Sequence, residues 1–300
     1  MTSVSTSAFY DRFNLDMSSL RSRAEALQAA IGSGNRLTRS SDDPVAASRM
    51  RTLGRADAFA AVDLSIAARA SSDLTLADSA LMSFTDSLIR VQELATQAAN
   101  DVLSASQRAG IATEIEQISG ELLRLANTRD SAGHALFGGD TAGDAYTLDG
   151  AGNAVYIGTS SASDLPLGDG QSVTRGLTGP EFLNFGGTNL FAVVKGLADA
   201  LAGGAADPAQ AARDALGSLD TGLETITTQQ TVIGTRLNWI DLNTERRTQM
   251  GELRAQEEAD VGGTDLGEAV SQLQQTMTVL EASQASFARL SSLSLFDFLR

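Results

Sequence analysis

The feature that most constrains this chain is a repeat of apolar and small residues near each terminus, with steps that alternate between four and three. The N-terminal repeat starts at Phe9 and runs through Phe13, Met17, Leu20, Ala24, Leu27 and Ile31. This spacing predicts a helix with a narrow heptad stripe. A lone helix of this kind is marginal in water because it buries little apolar surface. The repeat therefore predicts a partner helix.

The C-terminal region offers that partner, since its apolar residues keep nearly the same spacing, with polar Gln284 as an interruption. They are Leu266, Val270, Leu273, Met277, Leu280 and Phe287. The last segment, "FARLSSLSLFDFLR", is so apolar that it predicts a neighbouring molecule. We expect the seam between subunits to use both repeats and this end: Phe9, Phe13, Leu20, Leu27, Ile31, Leu273, Met277, Leu280, Phe287, Leu295, Phe296 and Leu299.

Composition supports long helices with thin seams over a large round core, because aromatic residues make up only 5% of the 300 residues. The formal net charge of −15 repels phosphate, which argues against a nucleic-acid partner. No uninterrupted apolar run reaches the roughly 18 residues of a membrane span. The N-terminus lacks a basic start followed by an apolar run, so we expect no ordinary signal peptide. The absence of cysteine excludes disulfides and thiolate sites.

The segment "SSDDPVAASR", residues 40–49, predicts the start of a helix. Proline is tolerated at the first helical position, and an Asp before it caps the free amide groups. Asp43 and Pro44 therefore read as cap and first residue, while Gly32 and Gly34 suit the end of the preceding helix. A turn between two helices is predicted here.

The remaining pattern predicts helices on both sides of a glycine-rich centre. Helical spacing covers 44 to about 100 and 106 to 129, with Ser104 or Ser106 as the cap of the second of these helices. Residues 131 to about 188 are rich in Gly, Asp, Ser and Thr and contain short alternating runs typical of hairpins. Further helices are expected over 189–202, from Pro208 to about Ala259, and after a cap at Thr264 or Asp265.

Together these elements predict a mainly α protein: an elongated antiparallel helical bundle or coiled coil formed by both termini, with a small β-rich module inserted at its tip. We expect three parts. Residues 1–40 and 264–300 would form a terminal coiled-coil inner layer, residues 41–135 and 205–263 a helical rod, and residues 136–204 an outer β-rich module.

Few residues point to chemistry. His134 is the single histidine and cannot build a multi-histidine metal site or a convincing catalytic triad. "GSGNRL" follows a helix and lacks the third glycine of a dinucleotide fingerprint. Asp140, Asp144 and Asp149 depart from EF-hand spacing and fit turn formation better than calcium binding. We therefore predict no catalytic, cofactor or metal residues and no enzyme activity; an enzyme using Asp140, Asp144 and Asp164 ranks last.

Several segments resemble the flagellar hook–filament junction proteins, relatives of flagellin, in the order of that family. The segment "SSDDPVAASR" is similar to its "SDDP-x-AAS" motif. Four further segments carry the likeness: "LIRVQELATQAAN", "EIEQISGELLRLANTRDSAGHALFGG", "IGTRLNWI" and "LSLFDFLR". The resemblance covers roughly residues 1–140 and 205–300, and the centre is unmatched.

The resemblance implies a structural protein outside the cell, in the flagellum, exported unfolded by the flagellar type III apparatus without a cleaved signal. It implies no cofactor and no membrane. Its implied partners are another hook-associated protein on the hook side, flagellin on the filament side, identical subunits in a ring and an export chaperone. Two alternatives stay open: a flagellin filament subunit, and a flagellin-like adhesin that binds glycans through residues 140–190.

Overall fold

The computed structural model describes the backbone of residues 6–297 and the side-chain surroundings of residue 8 and residues 10–289. Within this range the chain forms helices and three hairpins. The helices are α1 (Thr6–Ser33), α2 (Pro44–Ala98), α3 (Ala105–Ala126), α4 (Gly179–Leu183), α5 (Leu190–Asp199), α6 (Pro208–Gly262) and α7 (Leu266–Asp297). A π-helical turn, Ala200–Gly204, follows α5.

The six described strands form three separate antiparallel hairpins. They are β1 (Tyr146–Leu148) with β2 (Ala154–Tyr156), β3 (Asp164–Gly168) with β4 (Gln171–Thr174), and β5 (Asn184–Phe185) with β6 (Thr188–Asn189). The mainly α fold with a small β component is therefore confirmed.

The helix starts follow local chemistry. Pro44 and Pro208 are the first residues of α2 and α6, as predicted. Ser104, one of the two caps considered for α3, accepts a hydrogen bond from the Gln107 amide, which satisfies a free donor of the first turn. For α7 the cap is Asp265, whose Oδ1 accepts from the Glu268 amide at 3.0 Å. Thr264 Oγ1 is enclosed without a hydrogen-bond partner.

The described chain divides into two compact units. Unit 1 contains the residues up to Ala58 and from Met250 onward, and unit 2 runs from Phe59 to Gln249. The three-part domain division stays a prediction.

Unit 2 has a continuous apolar core to which helices and hairpins both contribute. Phe182 of α4 packs edge-on against Phe84 of α2 and tilted against Phe137, and all three rings are buried. Tyr146 of β1 contacts Phe191 of α5 in the same core. The short hairpins are thus stabilised by burial against helices, since a two-stranded hairpin alone is marginal in water.

The β3–β4 hairpin is fixed to the long helices at its turn. Arg247 of α6 bridges Asp63 of α2 at 2.9 Å and Asp169, in the hairpin turn, at 3.3 Å. Gly168 has a positive φ of 82° and lies against the Arg247 guanidinium, where a Cβ atom would overlap it. Glycine therefore permits both the turn and the close approach.

Candidate functional site

The terminal helix pair of unit 1 is the strongest candidate for a functional surface. Helix α1 packs along α7. Predicted seam residues Phe13, Leu20, Leu27 and Ile31 of α1, and Leu273, Leu280 and Phe287 of α7, are half-buried. Phe13 stacks on Phe287 with ring centroids 4.0 Å apart, and Tyr10 meets the same ring edge-on at 5.4 Å.

Among the described residues of the pair, the buried side chains are Met17, Ala269 and Thr276, and two of them are small or polar. The heptad pattern was read from large apolar residues of α7, so it did not include the small Ala269 or the polar Thr276. Small side chains at these places allow two helices to approach closely.

Met277 does not contribute to the α1–α7 contact within the chain, and its place in the seam between subunits stays a prediction. Its side chain is 44% exposed, and Leu266 and Val270 are exposed as well. Since the residues facing α1 follow the steps 269, 273, 276, 280 and 287, Met277 lies beside that stripe, on the outer side of the helix. The side chains of Phe9, Leu295, Phe296 and Leu299 lie outside the described residues.

Exposed apolar side chains remain on both helices of the pair. Five large ones are at least two-fifths exposed: Leu15, Leu266, Val270, Met277 and Val279. Of these, Leu266, Val270 and Met277 share one side of α7 by their helical spacing, whereas Val279 lies on another side of that helix. We call Leu266, Val270 and Met277 the outer stripe. Each large apolar side chain left in water forgoes about 1.5–3 kcal/mol that burial would supply.

The turn at "SSDDP" is built by its two carboxylates. Asp42 Oδ2 accepts from the Arg39 amide at 2.8 Å and the Thr38 hydroxyl at 3.0 Å, and closes the turn before α2. Asp43 Oδ1 accepts from the Ala46 amide at 3.0 Å, directly before Pro44. This amide hydrogen bond is the main cause that lowers the pKa of Asp43 below its usual 3.8. The geometry is that of an N-cap followed by proline.

The same turn region is joined to the start of α7. The Arg36 amide donates to the Gly262 carbonyl at 2.8 Å, and the Thr264 amide donates to the Gly34 carbonyl at 2.9 Å. Arg36 also reaches Asp43 at 3.4 Å and the Val261 carbonyl at 2.9 Å through its guanidinium. The segments 34–36 and 262–264 are therefore hydrogen-bonded side by side.

Two ion pairs connect α2 with α6 inside unit 1. Arg49 donates two hydrogen bonds to Glu257, at 2.5 and 2.8 Å. Arg254 donates to Asp57 at 2.5 Å. The hydrogen bond from Arg49 is the main cause of the lowered pKa of Glu257. These contacts fix the register of the two helices more than they add stability, because exposed ion pairs are weak.

The residues examined for chemistry lie apart, each with a local partner. Asp140 accepts from Ser163, Asp144 pairs with Arg129, Asp149 closes the turn to Asn153, and Asp164 accepts from Thr174. Within the described range, no group of three or more His, Cys, Asp or Glu side chains is arranged to hold a metal ion. Over that same range, none of the helices combines the length and apolar character needed to cross a bilayer.

Comparison with known proteins adds the family context. Residues 4–142 match the family described as the bacterial flagellin N-terminal helical region. Flagellar hook-associated protein 3 of Escherichia coli is 27% identical over 287 residues, which are 89% of this chain and 90% of that protein. The chain is thus similar to flagellar hook-associated protein 3 over most of the length of both proteins. The Salmonella typhimurium protein of the same name is 28% identical over 60% of this chain and 56% of its own length.

Solved structures of flagellar hook-associated proteins share the fold of this chain. A flagellar hook-associated protein from Vibrio parahaemolyticus has a TM-score of 0.69 at 24% identity, covering 74% of this chain and all of that one. Hook-associated protein 3 from Legionella pneumophila has a TM-score of 0.64 at 16% identity, covering 70% and 98%. The relatives are structural proteins of the flagellum, and a structural role at the hook–filament junction is favoured over that of a filament subunit.

Proposed function

We propose that this chain is a junction subunit without enzymatic turnover that connects a hook-associated protein on the hook side to flagellin on the filament side. Identical subunits stand side by side in a ring. The single observation that supports this most is the outer stripe of α7. A helix that leaves three large apolar side chains in water along one side has a surface that a neighbouring subunit can cover.

Assembly and ordering of the chain ends are coupled in this proposal. The α1–α7 contact buries Met17, Ala269 and Thr276 and leaves its aromatic residues half-exposed, so one subunit provides modest stabilisation. Neighbouring subunits add burial on the outer stripe, and by mass action this shifts each chain toward its ordered form. The predicted seam residues, including the C-terminal Leu295, Phe296 and Leu299, are then the binding residues.

Asp43 and Pro44 have a positioning role in the same proposal. They begin α2 at the point where residues 34–36 are tied to the start of α7, and so they set the direction in which the chain leaves the predicted terminal layer. The three-part division into terminal layer, helical rod and outer module is proposed on this basis.

The export pathway is part of the proposal and is supported by the similarity to flagellar hook-associated protein 3. The subunit leaves the cell through the flagellar export apparatus, unfolded, without cleavage of a signal and with help from an export chaperone. A glycan-binding adhesin is the second candidate. Its specific test is binding of glycans by the full chain and loss of that binding when residues 140–190 are replaced by a short linker.

The decisive experiment deletes residues 287–300 and replaces the chromosomal copy. We expect the purified variant to keep most of its helical circular dichroism signal, because the long helices α2, α3 and α6 lie outside the deleted segment. Cells making it should export the variant but shed their filaments. Export is measured in the culture medium, so that a failure of secretion is distinguished from a failure of attachment.

Two matched variants sharpen this test. Phe287→Tyr keeps an aromatic ring against Phe13 and should retain filaments. Met277→Asp places a charge on the outer stripe, away from the α1–α7 contact, and should weaken ring formation while leaving the monomer intact. Normal filament attachment in both the deletion and Met277→Asp would refute the proposed seam.

A further inference from the structure

A small polar cavity lies inside unit 2 where α2, the loop after α3 and the end of β4 meet. Its volume is about 10 Å³, close to that of one water-sized sphere. Asp73 of α2, Asp130 of the loop and Arg175 after β4 form its charged walls. Two carboxyl groups thus share one guanidinium in an enclosed space, and neither belongs to the assembly surface proposed above.

Both carboxylate oxygens of Asp130 accept hydrogen bonds. Its Oδ1 accepts from the amides of Ala132 and His134, both at 2.8 Å, and its Oδ2 accepts from Arg175 Nη2 at 2.8 Å. Burial by itself raises the pKa of Asp130. The amide hydrogen bonds and the neighbouring charges of His134 and Arg175 outweigh that effect and hold the pKa below its usual value. Asp130 is therefore the carboxyl group of the pair that stays ionised.

The surroundings of the Asp73 carboxyl group differ from those of Asp130. Asp73 is only 4% exposed, and the ion pair of its carboxyl group is long. Arg175 Nε stands 4.0 Å from Asp73 Oδ2, beyond hydrogen-bonding distance, while its Nη2 is held by Asp130 at 2.8 Å. A buried carboxylate with so long an ion pair, beside a second carboxylate, is costly, and binding of a proton removes that cost.

We propose that Asp73 is a proton-binding site and that its occupancy links the docking of the β4 end on α2 to pH. In the protonated form, Asp73 presents a hydroxyl donor to the cavity it shares with Asp130. In the ionised form, it faces that carboxylate as a like charge. Burial first, and then the charge of Asp130, raise the pKa of Asp73 above its usual 3.8, which agrees with this assignment.

The other charged groups around the cavity come from each packed element. Arg69 lies on α2 itself, His134 on the loop with its Nδ1 3.5 Å from Asp130 Oδ2, and Asp140 accepts from Ser163 nearby. From α6, Arg236 donates to the Gly176 carbonyl at 2.7 Å, beside Arg175. The charges of Arg175, Arg69 and His134 lower the pKa of Asp73, but burial and Asp130 prevail.

The sign of the pH effect follows from linkage. Between pH 3.8 and the raised pKa, folded Asp73 holds its proton while the unfolded chain has lost it. The free energy of unfolding contributed by Asp73 therefore falls as pH rises through this window and is constant above it. Asp73→Asn mimics the neutral side chain at every pH. The ratio of the wild-type unfolding constant to that of Asp73→Asn should rise with pH, by up to about tenfold per pH unit.

The experiment measures urea unfolding of the full chain from pH 4 to 8, for the wild type and for Asp73→Asn. We expect the two to coincide at the acid end and the variant to be more stable at neutral pH. Asp86→Asn, an exposed change of the same charge on the same helix, is the control for the loss of one negative charge.

Two results would overturn the proposal. One is a ratio that is independent of pH. The other is an Asp73→Asn variant that is less stable than wild type at neutral pH, since the ionised carboxylate would then be the stabilising form. If the variant fails to fold, an NMR titration of the Asp73 carboxyl resonance in the wild type tests the proposal instead. A titration midpoint above pH 3.8 supports the proton-binding site, and a midpoint at or below pH 3.8 rejects it.

Discussion

Phe13 and Phe287 stack face to face, with ring planes only 8° apart, although 274 positions (287 − 13) separate them in the chain. This contact joins the first and last described helices. A single substitution of Phe287 affects two contacts, because Tyr10 packs edge-on against the same ring.

Phe287→Ala removes the ring from this contact. Loss of the aromatic pair and of its apolar area should cost about 1–3 kcal/mol, which weakens assembly by roughly ten- to hundredfold. The measurement is the protein concentration at which purified subunits associate, followed by light scattering or ultracentrifugation. Phe287→Tyr is the matched control and should associate like wild type. Equal association of the alanine variant would contradict the role of this pair.

Asp43→Ala removes the cap of α2, whereas Asp43→Asn keeps a side-chain oxygen at the cap. Hydrogen exchange of the Ala46 amide should accelerate in the alanine variant and stay slow in the asparagine variant. The pKa of Asp43 is lowered on folding, so its contribution is present above pH 3.8 and is lost as pH falls through the folded-state pKa. The stability difference between wild type and Asp43→Ala should therefore narrow in acid, to the part that a neutral oxygen at the cap still supplies, and a difference that stays constant down to pH 2 would contradict an ionised cap.

Gly168→Ala and Gly170→Ala separate backbone strain from close packing. Both glycines have positive φ, at 82° and 75°, so each substitution should cost about 1–2 kcal/mol in backbone strain. A Cβ atom at Gly170 meets open space, while one at Gly168 overlaps the Arg247 guanidinium. Urea unfolding should show Gly168→Ala as clearly the less stable of the two. Equal losses would mean that the Arg247 contact adds nothing.

Tyr146→Phe should leave unit 2 as stable as wild type or more stable, by about 1 kcal/mol. The Tyr146 hydroxyl is buried without a hydrogen-bond partner, and its removal ends a desolvation cost. Burial also raises the pKa of this hydroxyl, so it stays neutral in the folded chain. The control is Tyr156→Phe, which loses a 2.6 Å hydrogen bond to the Thr159 carbonyl and should be destabilised. Thermal unfolding of both variants measures the contrast.

The sequence allowed the long helices and the place of the hairpins to be predicted because their signals are local. Pro44 and Pro208 fix helix starts, and the "DGAGN" turn lies between two strands that do pair. The partner role of α1 and α7 also followed from their matching heptads. These signals depend on neighbours within a few residues, so one chain without relatives suffices to read them.

What the sequence did not show depends on residues far apart. Ala269 and Thr276 carry no strong apolar signal, yet both are buried. Met277 is larger and fits the heptad better, but it lies on the outside. Likewise, nothing local to Asp73 indicates that Arg175, about a hundred residues later, stands beside it. Such contacts arise only from packing.

The paired segments 34–36 and 262–264 have an architectural consequence. Because their backbones are hydrogen-bonded to each other, the stretch between them begins and ends at one fixed point. A change in the length of that stretch can therefore leave the end of α1 and the start of α7 in place.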